Sequence, residues 1–329
     1  YEVKPYAIGG ATTDRPAAGP STTTGTHDVG ADAKIGLTDG VTADLTYNTD
    51  FAQVEEDEQQ VNLTRFSVLF PEKREFFLEG QGIFSFGGLQ GQPRGGGGGG
   101  GGTPSGNPNP TDIPVLFFSR RIGLSAGKEI PIDVGGRVTG KAGPYSIGLL
   151  DIRTADQASL ALPATNFGVV RIKRDILRRS AVGAIFTDRS TASTGAGHAS
   201  AAGVDGVFSF FQNLNINTYI AKTDTPGISG DDTSYRAQVD YNADRYGLQA
   251  ERLSLDTNFS PDVGFLRRHA FARNTLYGRF SPRPASLKRV RKFTWDGQVD
   301  YITNPQGDLE SRAAGANFRT ELENGDSFG

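Results

Sequence analysis

The sequence predicts an all-β fold, a transmembrane antiparallel β-barrel of roughly 14 or more strands, on three observations. Apolar and polar residues alternate with a period of two through most of the chain. They do so in segments of about 9–11 residues, the length that crosses a bilayer at a tilt. The connections between these segments alternate long and short, as external loops and periplasmic turns do in such barrels. One connection, 50–131, is far longer than the others and breaks the alternation with a dense run of charged and aromatic residues.

The composition is compatible with this reading. The chain has 329 residues, of which 36% are hydrophobic and 44 are Gly, with no Cys and no Met. Mean hydropathy is −0.39, and no apolar run approaches the roughly 18 residues that a membrane helix needs. A barrel with a polar lumen leaves only a weak signal per strand, so low hydropathy does not decide against it. Without Cys there are no disulfides, thiolate nucleophiles or thiolate metal ligands. The absence of Met, with Tyr1 already in a strand-like run, marks the chain as a mature or excised piece, and the barrel is expected to be incomplete at both ends. Net charge is −3, so a nucleic-acid partner is not expected. The densest basic cluster, Lys288, Arg289, Arg291 and Lys292, reads as a solvated turn in preference to a phosphate-binding patch.

Taken in order, Tyr1 to Gly9 reads as the first strand, and Ala11 to Thr26, rich in Thr, Gly and Pro, as a long loop. Val29 to Leu37 alternates and ends at Asp39-Gly40, a dipeptide that supplies the positive φ of a tight hairpin. The return strand places Val41, Ala43, Leu45 and Tyr47 on one face. Alternation resumes near Ile132. Further strands are read at 145–153, 167–175, 180–189, 202–211, 214–223, 235–243, 246–255, 269–280, 292–302 and 311–321. The clearest sets Phe293, Trp295, Gly297, Val299 and Tyr301 against Thr294, Asp296, Gln298 and Asp300. Aromatics near strand ends, Tyr47, Phe186, Phe210, Tyr219, Tyr241, Phe280 and Tyr301, suit interfacial girdles. Asp44, Asn48, Arg137, Arg171 and Lys173 suit a polar lumen.

The insertion divides in two. Gly95 to Gly102 is unbroken glycine within a Gly/Pro-rich stretch at 91–111, which is expected to be mobile. Thr49 to Gly80 is different in kind. Phe66, Phe70, Phe76 and Phe77 need burial, and the charges around them need partners. This part is expected to fold back as a plug. Its candidate residues, with the lumen residues they meet, are Asp50, Gln53, Glu55, Asp57, Arg65, Phe70, Glu72, Lys73, Arg74, Phe76, Phe77, Glu79, Arg120 and Arg121.

Asp50-Phe51-Ala52-Gln53-Val54-Glu55, Val61 to Phe66, Phe70 to Arg74, Phe76 to Gly80, Phe118 to Gly123 and Asp262 to Phe265 carry a resemblance. The sequence resembles an uncharacterised bacterial family whose C-terminal outer-membrane β-barrel follows a carbohydrate-binding family-9-like domain. The resemblance implies an outer-membrane location and an upstream periplasmic domain as a partner. It supplies no activity and no catalytic residues.

The chemistry on offer is thin. His27, His198 and His269 are the only histidines, and no GxSxG or HExxH motif is present. Carboxylates are the sole enzymatic raw material: Asp50, Glu55, Glu56, Asp57, Glu72 and Glu79 could furnish the pair that glycoside hydrolysis needs. Pairing with Arg65, Lys73, Arg74, Arg120 and Arg121 inside a lumen is the favoured alternative. A Ca²⁺ site at Asp50, Glu55 and Asp57 lacks EF-hand spacing. No cofactor, metal or catalytic residue is therefore assigned. The expected function is a channel, transporter or surface-anchoring module in contact with the lipid bilayer, handling a small solute or glycan. An enzyme seated in 50–131 and a purely structural anchor are the alternatives.

Overall fold

The computed structural model describes residues 1–14, 21–49, 69–88, 112–125, 128–158, 162–195 and 197–329. The elements, in chain order, are β1 (Glu2–Asp14), β2 (Thr22–Thr38), β3 (Val41–Thr49), a single helical turn α1 (Glu75–Leu78), the small hairpin β4 (Leu124–Ser125) and β5 (Lys128–Glu129), and then a long meander. The meander is β6 (Ile132–Ala142), β7 (Tyr145–Thr154), β8 (Thr165–Ile176), β9 (Ser180–Arg189), β10 (Ala199–Phe210), β11 (Leu214–Asp224), β12 (Thr233–Asn242), β13 (Tyr246–Leu255), β14 (Phe271–Phe280), β15 (Val290–Thr303), β16 (Leu309–Leu322) and β17 (Ser327–Phe328).

Fifteen strands form one sheet in the order β1-β2-β3-β6 through β17, and every pairing is antiparallel. The 50–131 insertion therefore sits between two neighbouring strands, β3 and β6, and interrupts no pairing. The sheet is open: no ladder joins β1 to β16 or β17, so the closed barrel expected from sequence is not formed among these strands.

Two boundaries correct the sequence reading. Most of the 11–26 stretch, read as loop, is strand, since β1 runs to Asp14 and β2 begins at Thr22 with Asp14 opposite Thr22. Its threonines are β-branched and fit a pleated ladder, which counts for more than the Gly and Pro beside them. The long–short rule also fails at its last pair. The β14–β15 connection spans 281–289 and the β15–β16 connection only 304–308.

The strands have an inverted amphipathic pattern. From β3 to β14 the buried phase is largely polar and the exposed phase apolar. Arg137, Arg171 and Glu251 are 3%, 1% and 4% exposed, while Val134, Val204, Ile220, Leu248 and Leu276 are 49–54% exposed. The burial comes from the insertion, whose described parts lie against the inner phase of these strands. Apolar inner residues cluster towards the long-connection end. There Ile132, Ile152, Phe167, Ala221, Leu253 and Phe271 pack with Phe77, Phe84, Phe86, Leu116 and Ile122 of the insertion. At the opposite end, Leu177 and Phe211 sit in short turns with φ of 54° and 55°, and both are highly exposed.

Candidate functional site

Among the described residues, buried charged groups are concentrated on the polar inner phase and the insertion against it. The insertion enters it through residues 69–88. After Pro71 the chain makes α1 and stops at Gly80 (φ 67°), where a Cβ would lie 3.0 Å from the Thr139 hydroxyl. A 3₁₀ turn at Gln81–Phe84 then carries Phe84 to β7 and Phe86 to β10. Gly87 (φ 70°) then comes so close to β11 that a Cβ would stand 2.9 Å from the ring of Tyr219, which is buried on the inner phase and not on an outer girdle. Only glycine satisfies both the left-handed φ and that approach. The Gly87 N–H donates to Asp205 Oδ2 at 3.1 Å, and its carbonyl accepts from Arg236 Nη1 at 3.1 Å.

Four wall arginines organise the site. Arg137 donates to Asp44 at 2.7 Å and to the carbonyls of Phe76 and Glu79. Arg171 makes a bidentate pair with Asp205 at 2.6 and 2.9 Å and lies 5.6 Å from the Phe86 ring centroid. Arg236 pairs with Glu251 at 2.6 Å and donates to Gln238 Oε1 at 2.8 Å. Arg273 reaches Glu251 at 3.0 Å and Asp112 of the insertion at 2.7 Å. All four are nearly fully buried, so the matching carboxylates are what make their burial tolerable.

The returning part of the insertion, residues 112–123, is tied to the first part by a second network. Glu72 accepts from Arg74 Nε at 2.8 Å and Nη2 at 2.7 Å, and from the Ser119 hydroxyl at 2.5 Å. Arg74 also donates to the carbonyls of Ile122 at 2.6 Å and Ser119 at 2.8 Å, and its guanidinium lies 4.2 Å from the Phe77 ring. Beyond it, Val115 pairs with Phe265, the Phe118 N–H donates to the Val263 carbonyl at 2.8 Å, and Arg121 Nε donates to the Gly264 carbonyl at 2.9 Å.

Burial pushes the Glu72 carboxyl up, but the hydrogen bonds and charge of Arg74 and the Ser119 hydroxyl outweigh it and hold the group below its ordinary value of 4.5. A depressed carboxyl stabilises the clamp above its unfolded pKa and loses that contribution as pH falls through the folded one. The contact between 69–74 and 118–122 is therefore expected to open only on acidification below the ordinary carboxylate range. Glu72→Gln should remove this acid step. Hydrogen exchange at the Ile122 and Arg121 amides across a pH series measures it, and an acid step that persists in the variant would refute the assignment.

The candidate residues fall as follows. Glu72, Arg74 and Phe77 are buried together, and Phe76 packs edge-on to Phe77 at 5.2 Å with Arg137 5.1 Å from its ring. Glu79 pairs with Lys34 of β2 and lies 3.8 Å from Arg137. Arg120 donates to the Pro71 carbonyl at 3.1 Å and stands 5.9 Å from the Phe70 ring, and the Lys73 amide donates to Glu72 at 3.0 Å. Asp50, Gln53, Glu55, Asp57 and Arg65, and the 91–111 stretch, lie outside the described residues. Of the lumen residues read from sequence, Asp44, Arg137 and Arg171 are buried at the site. Asp112, Asp205, Arg236, Glu251 and Arg273 escaped the reading. The signal was present: each wall member of this set holds the polar phase of its strand, in line with the polar phase of the strand beside it.

Among the described residues no group of three or more His, Asp and Glu is placed to hold a metal ion. Fold and site together define a fifteen-stranded antiparallel meander with a polar face covered by its own inserted segment. Residues 2–99, from β1 into the insertion, match a family described as a domain of unknown function (DUF5916). No curated protein matches the chain.

Proposed function

We propose that the sheet is the wall of a bacterial outer-membrane β-barrel and that the insertion plugs its lumen, making the protein a gated passage for a polar solute. The observation that carries this reading is the inverted pattern: buried Arg–carboxylate pairs on one phase, exposed Val, Leu, Ile and aromatics on the other. In water so much exposed apolar surface would drive association. In a bilayer it is the outer face a barrel requires. Strands of 10–12 residues from β6 to β14 fit the same setting. The lipid bilayer is then the principal partner, and an upstream periplasmic carbohydrate-binding domain would make the solute a glycan.

The enzyme alternative gains nothing from Glu72 and Glu79. Both are held below the ordinary carboxylate value, Glu72 by its paired Arg74 against the effect of burial and Glu79 by its hydrogen bond to Lys34. A glycosidase acid needs the opposite shift.

Arginine substitutions test the membrane reading. Val239→Arg and Val299→Arg are each expected to cost about 2–4 kcal/mol of assembly in the bilayer. Gln298→Lys, one residue away on the inner phase, should be accommodated. Folded protein in outer-membrane fractions, read by heat-modifiable electrophoretic mobility, is the measurement. Equal tolerance at 298 and 299 would refute the reading.

A further inference from the structure

On the outer wall of β13 to β16 the side chains are sorted by height. Nearest the 243–245 and 281–289 connections, Tyr246 faces Phe280, Phe280 faces Trp295 and Trp295 faces Phe318, one ring per strand. Their centroids are 5.4, 5.9 and 5.2 Å apart. Two residues further in, Gly278, Gly297 and Ala316 face one another in the same way, followed by Leu276, Val299 and Ala314. Because the middle row has almost no side chains, a groove of about 490 Å³ opens there, walled by Leu248, Leu276 and Val299.

On the other side of the aromatic row lies positive charge. The Arg245 guanidinium is 5.6 Å from the Tyr246 ring and 5.5 Å from the Phe280 ring, so it caps the row. Lys288, Arg289 and Arg291, at the entrance to β15, are exposed and form no ion pair among the described residues. A solvated turn accounts for the cations alone. It does not account for Arg245 capping the aromatic row or for Arg291 standing four residues before Trp295 on β15.

We propose that this column is a binding site for an anionic phospholipid. Its phosphate sits among Arg245 and the 288–291 cations, its glycerol region lies at the aromatic row, and one acyl chain fills the groove. That order of charge, aromatic ring and aliphatic surface is the order of groups along the lipid itself. Basic residues at a membrane surface favour anionic over zwitterionic headgroups. The inference rests on the outer face meeting lipid, and its test separates the two claims.

Trp295 is the single tryptophan of the sequence, so its fluorescence reports this site alone. The full chain would be placed in phosphatidylcholine nanodiscs holding a minor fraction of phosphatidylglycerol or phosphatidylcholine brominated in mid-chain. Quenching by the brominated phosphatidylglycerol is expected to be several-fold stronger at equal fraction. The triple variant R245Q/R289Q/R291Q should reduce it to the phosphatidylcholine level, and Ala316→Leu, which fills the groove, should weaken it. Heat-modifiable mobility checks that each variant is folded. Equal quenching by both lipids, or a preference that survives the triple variant, would overturn the site and leave the lipid-facing wall standing. No quenching by either lipid would overturn the site too. In a dimer that result would give the face to a second copy, and in a monomer it would remove the membrane reading as well.

Discussion

Glu251→Leu is expected to destabilise the protein by about 3–5 kcal/mol, the largest effect of any single substitution at the polar face. The Glu251 side chain is fully buried and holds two buried arginines at once, Arg236 at 2.6 Å and Arg273 at 3.0 Å. Removing the carboxylate leaves both guanidinium groups short of a partner where water does not reach them. Arg236 keeps Gln238 and the Gly87 carbonyl, and Arg273 keeps Asp112. Those contacts are neutral or shared and cannot match two charges. Urea unfolding in detergent micelles measures the loss. Adding Arg236→Met should recover part of it, because one stranded charge is then removed. A Glu251→Leu protein as stable as the parent would mean that the interior is wetter than this packing implies.

On the proposed barrel reading, removing the insertion's first arm opens the passage. A chain lacking residues 53–88 is expected to show single-channel conductance several-fold above that of the intact protein. Those residues supply Phe77, Phe84 and Phe86 to the core and bring Gly87 to the far wall. Deletion also strips apolar partners from the wall, so a milder variant is needed beside it. Gly87→Leu places a side chain where a Cβ alone meets the Tyr219 ring at 2.9 Å and imposes a left-handed φ that leucine resists. It should dislodge this part of the insertion and raise conductance without deleting anything. If both variants fold and conduct no better than the parent, the plug is refuted. If none of the three conducts at all, the anchor reading is favoured.

Much of the fold was legible in the sequence because the strands are governed by a local rule. β9 and β13 have the bounds that alternation alone assigns, Ser180–Arg189 and Tyr246–Leu255. The errors arose where composition replaced pattern. The stretch after Ala11 was read as loop from its Thr, Gly and Pro content, although its threonines lie in the β1–β2 ladder. Of the site, the clamp residues Glu72, Arg74, Phe76 and Phe77 were visible as a charged and aromatic run that breaks alternation. Their partners were not. Arg236 meets Gly87 across 149 positions of sequence, and Arg273 meets Asp112 across 161, and no single-chain pattern encodes such pairings. Gln238 holds the polar phase of β12, and it is buried and accepts hydrogen bonds from both Arg236 and Asn217. Sequence phase identifies the face a residue occupies but not how tightly that face is filled.

The division of charge between wall and insertion bears on how the two can diverge. Asp44, Asp205 and Glu251 balance Arg137, Arg171 and Arg236 within the wall, and Glu72 balances Arg74 within the insertion. Among the described residues the charged crossings are few: Asp112 to Arg273 and Arg267, and Glu79 to Lys34 and Arg137. Elsewhere the wall arginines grip the main-chain carbonyls of Phe76, Glu79 and Gly87, which any residue would present. Among the described residues, charge therefore constrains few insertion positions, and the apolar packing of Phe77, Phe84, Phe86, Leu116 and Ile122 on the sheet constrains the rest. Substitutions that keep those apolar contacts, Gly87 and the two crossing carboxylates leave the charge balance of the sheet intact, because the sheet carries its own counter-ions.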